Sequence, residues 1–182
     1  MKVRIVLAMM AALVSSSTHG QGTILFNNRV TGQVDAPFSD DVGMGLGRFG
    51  TAFTAGLFLV AGGGGTYTPL FPTTTFRTTS AADQFYVVQP TEPVVVPGVP
   101  AGSQATIVMR AWGGTARYDD AVYKGQSNPI TITLGGVPPG GGAPIPDAVL
   151  VGLLGICCVP EPSTMGLALL GGAALLYRRR RS

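Results

Sequence analysis

Histidine is almost missing from this 182-residue chain: the single one, His19, falls within its first twenty residues. Once that segment is removed, no imidazole remains for a Ser-His or Cys-His nucleophile or for a histidine-bound zinc. Nor does histidine then offer a general base that titrates near neutral pH. Cysteine is nearly as scarce. Cys157 and Cys158 are the only two and are sequence neighbours, so no disulfide can staple distant parts of the chain, and a vicinal bridge needs a strained ring. In an oxidising exported compartment, thiols buried in the apolar 149–159 run are the ordinary expectation. Only 12% of residues are charged, and past Lys2 there is one lysine, Lys124. That leaves no basis for a Ser-Lys pair, and Lys124 reads as a solvated turn charge. No stretch outside the ends sustains an apolar period of 3.6, which argues against amphipathic helices.

Glycine, proline, threonine and valine are abundant instead, and they divide the interior into short apolar runs between turns. Such a pattern predicts an all-β body, most simply a β-sandwich, of a size that can bury a real core. Strands are expected over 22–27, 51–60, 66–70, 74–78, 84–89, 105–112 and 130–134, with a further one inside 148–159. The clearest is 105–112, where Ile107, Met109 and Ala111 alternate with Val108, Arg110 and Trp112. With a period of two, the first set faces a core and the second the other surface. Trp112 then either caps the edge of the core, as burial preferences favour, or offers a stacking face to a ligand such as a sugar. Val94 to Val96 is hemmed in by Pro93, Pro97 and Pro100 and is expected at an edge or in a connector. Asp119-Asp120 and Ser127-Asn128-Pro129 read as turns. The Gly- and Pro-rich stretch 135–147 reads as a linker.

Few constellations in the body can carry chemistry. Gly45-Leu46-Gly47-Arg48-Phe49-Gly50 spells the G-x-G-x-x-G of a dinucleotide turn, but Asp40, Asp41 and Val42 precede it where a buried strand is required. Leu70 and Phe71 stand where the ribose-binding acid belongs. A glycine loop is the better account. Asp35, Asp40 and Asp41, and separately Asp119 and Asp120, could work as paired acids on a glycosidic bond or hold Ca²⁺. The spacing matches no calcium loop, and aspartates in glycine-rich loops are ordinarily solvated turn residues. No metal, cofactor or catalytic residue is therefore expected.

The two ends are different in kind. At the start, Lys2 and Arg4 precede an apolar run from Ile5 to Val14 and a small-residue stretch from Ser15 to Gly20, the layout of a secretory signal peptide. Cleavage is expected between Gly20 and Gln21, with Thr18 and Gly20 as the small residues; ten apolar residues are too few for a lasting anchor. At the other end come Val159, Pro160, Glu161, Pro162, Ser163 and Thr164, then the apolar run from Met165 to Tyr177, then Arg178, Arg179, Arg180 and Arg181. Thirteen residues span roughly 20 Å as a helix, against a hydrocarbon core of roughly 30 Å. The arginines stay on the cytoplasmic side, while the two prolines keep the preceding motif extended and accessible at the membrane surface.

That order of motif, apolar segment and basic end resembles the PEP-CTERM sorting domain of Gram-negative bacteria, over Val159 to Ser182. The resemblance implies that Pro160, Glu161 and Pro162 are recognised by an exosortase and that the tail is removed on the way to the cell surface or an exopolysaccharide matrix. A plain tail anchor would need no such motif. The segments Gly22 to Arg29, Ile107 to Trp112 and Gly125 to Pro129 resemble a recurrent body type of such cargo, notably in Verrucomicrobia, which implies no known activity.

Setting the charges of both ends aside, residues 21–158 hold six basic side chains against eight acidic ones, a net charge of −2. The overall excess of +3 thus belongs to the ends, and no cationic face suggests a nucleic-acid partner. The expected organisation is a signal peptide over 1–20, an extracytoplasmic β domain over 21–134, a linker with an apolar segment over 135–158, and the sorting signal over 159–182. A signal helix and a short transmembrane helix would flank the all-β body. The expected function is that of a non-enzymatic exported surface or matrix protein, transiently in the inner membrane, whose partners are an exosortase-type enzyme and extracellular polysaccharide. The alternative is a carbohydrate-binding or weakly hydrolytic module.

Overall fold

The residues between Gln104 and Gly113 alternate in side and are rich in β-branched and aromatic side chains, and they form the longest strand, β9. A computed structural model of the chain describes residues 20–39, 50–61, 65–80, 82–157, 159 and 160. Residues 1–19 of the signal peptide expected over 1–20, the 45–49 part of the glycine loop, Asp40, Asp41, Cys158 and the chain from Glu161 onward lie outside the described residues. The described part is all-β: thirteen strands, one short 3₁₀ turn at Gly50–Ala52, and no helix long and apolar enough to cross a membrane.

Against β9 lies β5 (Phe53–Ala61), antiparallel from Phe53 opposite Gly113 to Leu59 opposite Ile107. The other side of β9 is shared by β10 (Tyr123–Gln126) and β11 (Ile130–Thr133). Both β6 (Thr66–Pro69) and β7 (Thr74–Thr75) pair with β5. Ser127-Asn128-Pro129 is thus a break between two strands that pair with one neighbour, rather than a chain reversal. Pro129 cannot donate to the ladder, and Ser127 bridges the gap twice: its amide donates to the Met109 carbonyl at 2.9 Å and its Oγ accepts from the Met109 amide at 2.9 Å.

The alternation read from the sequence places Ile107, Met109 and Ala111 in the main core as expected, together with Ala55, Leu57, Ile130 and Ile132. Across that core lies the pair β1 (Gln21–Ile24) and β8 (Val94–Pro100), which contributes Ile24, Val94 and Val96. Phe26, Phe38, Phe76 and Val87 close it from the connecting segments. Two short pairs complete this side. They are β2 (Arg29–Val30) with β3 (Val34–Asp35), and β4 (Phe38–Ser39) with β12 (Ile156–Cys157).

Phe26-Asn27-Asn28-Arg29 ties this second layer together. Asn28 is fully buried; its Nδ2 donates to the carbonyls of Ala36 (2.7 Å) and Phe85 (3.3 Å), and its Oδ1 accepts from the Val87 amide (2.9 Å). One side chain thereby satisfies backbone groups in two segments that pair with no long strand.

Two expectations give way. Residues 84–89 form no strand beyond the bridge of Val87 to Phe76. Ser80 and Asp83 instead wind this stretch into turns, with Asp83 accepting from Ser80 Oγ and the Tyr86 amide donating to the Asp83 carbonyl; local side-chain bonding of this sort competes with a ladder. Nor is 135–147 a free linker. Gly135 exchanges both backbone hydrogen bonds with Thr23, Gly136 exchanges both with Ile145, and Asp147 accepts from Thr23 Oγ1 at 2.5 Å. Only the Pro/Gly loop between Gly136 and Ile145 is left projecting. A Cβ on Gly135 would stand 2.3 Å from the Pro146 carbonyl oxygen, so glycine is what permits the approach. Beyond it, Ala148, Leu150, Leu153 and Ile156 enter the main core, which makes 148–156 part of the body.

Candidate functional site

The face of the main sheet opposite the core is where β9 departs from a simple inside-outside pattern. Val108 and Trp112 on that face are buried with Phe58 and Ala121, and Tyr67, Val60 and Tyr118 pack against them. From Ile107 onward β9 is therefore covered on both faces. The cover is the 114–121 segment that connects β9 to β10, which carries Tyr118 and Ala121 across the sheet. Trp112 meets Phe58 and Tyr118 edge to face, at centroid distances of 6.4 and 6.0 Å. Its ring lies over Gly56 on β5, where a Cβ would come within 3.2 Å of it. Glycine at that position leaves room for the indole.

Arg110 shares this face and is 8% exposed. Its guanidinium carbon sits 3.8 Å from the Tyr67 ring centroid, 4.4 Å from that of Tyr118 and 4.8 Å from that of Phe58. Its Nε donates to Gln126 Oε1 at 2.7 Å. Ring faces attract the cation through their quadrupoles, each contact contributing about 0.5–2 kcal/mol depending on desolvation. Among the described residues no carboxylate lies within ion-pair distance of Arg110, whereas Arg29 pairs with Asp83 at 3.1 Å.

These side chains form the floor of a groove of about 340 Å³. Phe71, 69% exposed, stands on its wall together with Pro69 and Thr73, while Arg117 and Asp119 line it from the 114–121 segment. The Trp112 indole N–H is buried and has no hydrogen-bond partner. The groove is thus lined by aromatic side chains and two arginines, against one carboxylate.

Of the residues singled out from the sequence, Trp112 and Asp119 come together here, and the Asp119-Asp120 turn is present. Asp35 does not join them. It sits in the β2–β3 hairpin and accepts from the Tyr86 hydroxyl at 2.7 Å, while Arg29 lies over the Tyr86 ring at 4.6 Å. That hydrogen bond, with burial and the charge of Asp35 behind it, holds the Tyr86 phenol above its ordinary pKa. Among the described residues no three His, Cys, Asp or Glu side chains gather as a metal would require. Sequence reading passed over Arg110, Tyr67, Tyr118 and Gln126. The one local signal was an arginine at a strand position whose same-face neighbours, Val108 and Trp112, are both large and apolar.

The second feature is the exit of the chain. Gly20, on the near side of the expected cleavage point, accepts from the Ala101 amide, and Gln21 opens β1. At the far end β13, Val159–Pro160, pairs with β10, Lys124 opposite Val159 and Tyr123 opposite Pro160. The motif of Val159 to Thr164 therefore begins as the edge strand of the main sheet, and Glu161 is the next residue along the chain.

Residues 159–181 match the family described as the PEP-CTERM protein-sorting motif. No curated protein and no solved structure matches the chain significantly. Motifs of this family are recognised by exosortase membrane enzymes and imply export and sorting to the cell surface. The chain thus carries a PEP-CTERM protein-sorting motif at the end of a β-rich body.

Proposed function

We propose that this is a non-catalytic cargo protein, exported through its N-terminal signal, cleaved between Gly20 and Gln21, held briefly in the inner membrane and then released to the cell surface or surrounding matrix. In this reading Met165 to Tyr177 is a temporary membrane handle, Arg178 to Arg181 hold its cytoplasmic end, and the motif from Val159 to Thr164 is where the sorting enzyme acts. The sandwich-like body is the delivered part, with a structural or binding role. The observation that carries the reading is the sorting motif over 159–181, and the physics of a segment too short to hold a protein in a bilayer supports it. Intact-mass analysis of the protein from its native host, with and without the sorting enzyme, tests both ends at once. The expected product begins at Gln21 and ends near Glu161 only when the enzyme is present. Recovery of the same tailed species in both strains would refute it.

The groove favours one version of the binding role, recognition of extracellular polysaccharide. Aromatic walls accept the apolar face of a sugar ring, and a cleft of this volume lies at the lower end of the range of small-ligand sites.

A further inference from the structure

Resting on the polysaccharide reading, we propose that the groove on the covered face of the main sheet is selective for acidic sugars, taking a carboxylated (uronic acid) unit rather than a neutral one. Two observations converge on this. Arg110 is more than nine-tenths buried, yet its partners are three aromatic rings and the amide oxygen of Gln126, none of them an anion. A buried charge is ordinarily compensated, and cation–π contacts replace only part of that compensation. With Arg117 also in its lining and Asp119 as its one carboxylate, the groove has positive charge in excess, and what would complete it brings acceptors and negative charge.

The walls restrict the class further. Phe71 is largely exposed and Tyr67 half-buried, and both line the groove. Such ring faces suit the CH-rich face of a pyranose and give a linear polyanion such as a polypeptide or polyphosphate nothing equivalent. Arg117, exposed at the rim, is placed to take the carboxylate in the forked geometry that guanidinium favours.

The test uses the full-length chain in a non-ionic detergent, with binding measured by calorimetry to oligogalacturonate, to neutral cello-oligosaccharide of equal length and to polyglutamate. The expected result is at least tenfold tighter binding of oligogalacturonate than of either other probe. Phe71→Ala and Arg117→Ala, both at exposed positions, should each lower that affinity about tenfold without shifting the thermal midpoint. Equal or tighter binding of the neutral oligomer would overturn the selectivity and leave the polysaccharide reading standing. Equal binding of polyglutamate would show plain charge attraction and overturn the proposal. Binding of none of the three would remove both readings, and full affinity in Arg117→Ala would remove the proposed carboxylate contact.

Discussion

Replacing Asn28 by alanine is the sharpest test of how the second layer is held. Asn28 is 0% exposed, and its amide bonds to Ala36 and Phe85 carbonyls and to the Val87 amide, three backbone groups in two separate segments. Ala36 and Val87 are themselves fully buried, whereas the Phe85 carbonyl also accepts from the Phe38 amide. Alanine therefore strands two backbone groups where water cannot reach them. At about 1–3 kcal/mol for each unsatisfied buried group, the loss should be about 2–6 kcal/mol, a large share of the roughly 5–15 kcal/mol that holds a domain. Urea unfolding followed by Trp112 fluorescence should show the midpoint falling by about 1–3 M at an unchanged slope of about 1–3 kcal/mol/M. Asn28→Asp retains the acceptor for Val87 but turns a second oxygen toward two carbonyls, and should be at least as damaging. Native-state hydrogen exchange should show the Val87 amide losing protection first. A loss below about 0.5 kcal/mol in Asn28→Ala, within the range of ordinary surface changes, would refute the assignment of Asn28 as the tie between these segments.

Ser127→Ala should cost about 1–3 kcal/mol, because the Met109 amide, buried in the middle of β9, loses the Oγ that accepts its proton; Ser127→Thr should recover part of this, and denaturation midpoints of the two variants decide it. Tyr86→Phe removes a phenol whose pKa in the folded protein is raised by its hydrogen bond to Asp35. The folded state then holds that proton more tightly than the unfolded chain. The stabilisation is complete below the unfolded value of about 10 and is lost as pH rises through the folded one. The variant should accordingly lose about 1 kcal/mol at neutral pH, with the difference from wild type closing in strongly alkaline solution; a difference independent of pH up to that range and beyond would contradict it.

Much of the all-β architecture was legible because a period of two along a single strand is a local property. Ile107, Met109 and Ala111 could be placed on one face from their spacing alone, and the prolines around Val94 to Val96 limited that run to an edge strand or a connector, of which the structure shows the strand, paired with β1. The strand expected over 84–89 failed for an equally local reason: Ser80 and Asp83 bond to their own backbone and win the competition with a ladder. Residues 135–147 look like a linker in composition, yet Gly135 and Asp147 are claimed by Thr23, more than a hundred positions earlier in the chain. No window of sequence contains that information.

The sorting motif and the strand periodicity were determined by the sequence itself, since a short motif or an alternating pattern is complete within a few neighbouring residues and needs no reference to distant ones. What covers the far face of β9 was decided only by the tertiary structure. Whether Arg110 and Trp112 meet water or aromatic rings depends on where the 114–121 segment folds, on Gly56 leaving space on the neighbouring strand and on Tyr67 arriving from a third. Burial of a charge is a property of such a gathering, because the local dielectric and the available partners are set by every element that packs around it.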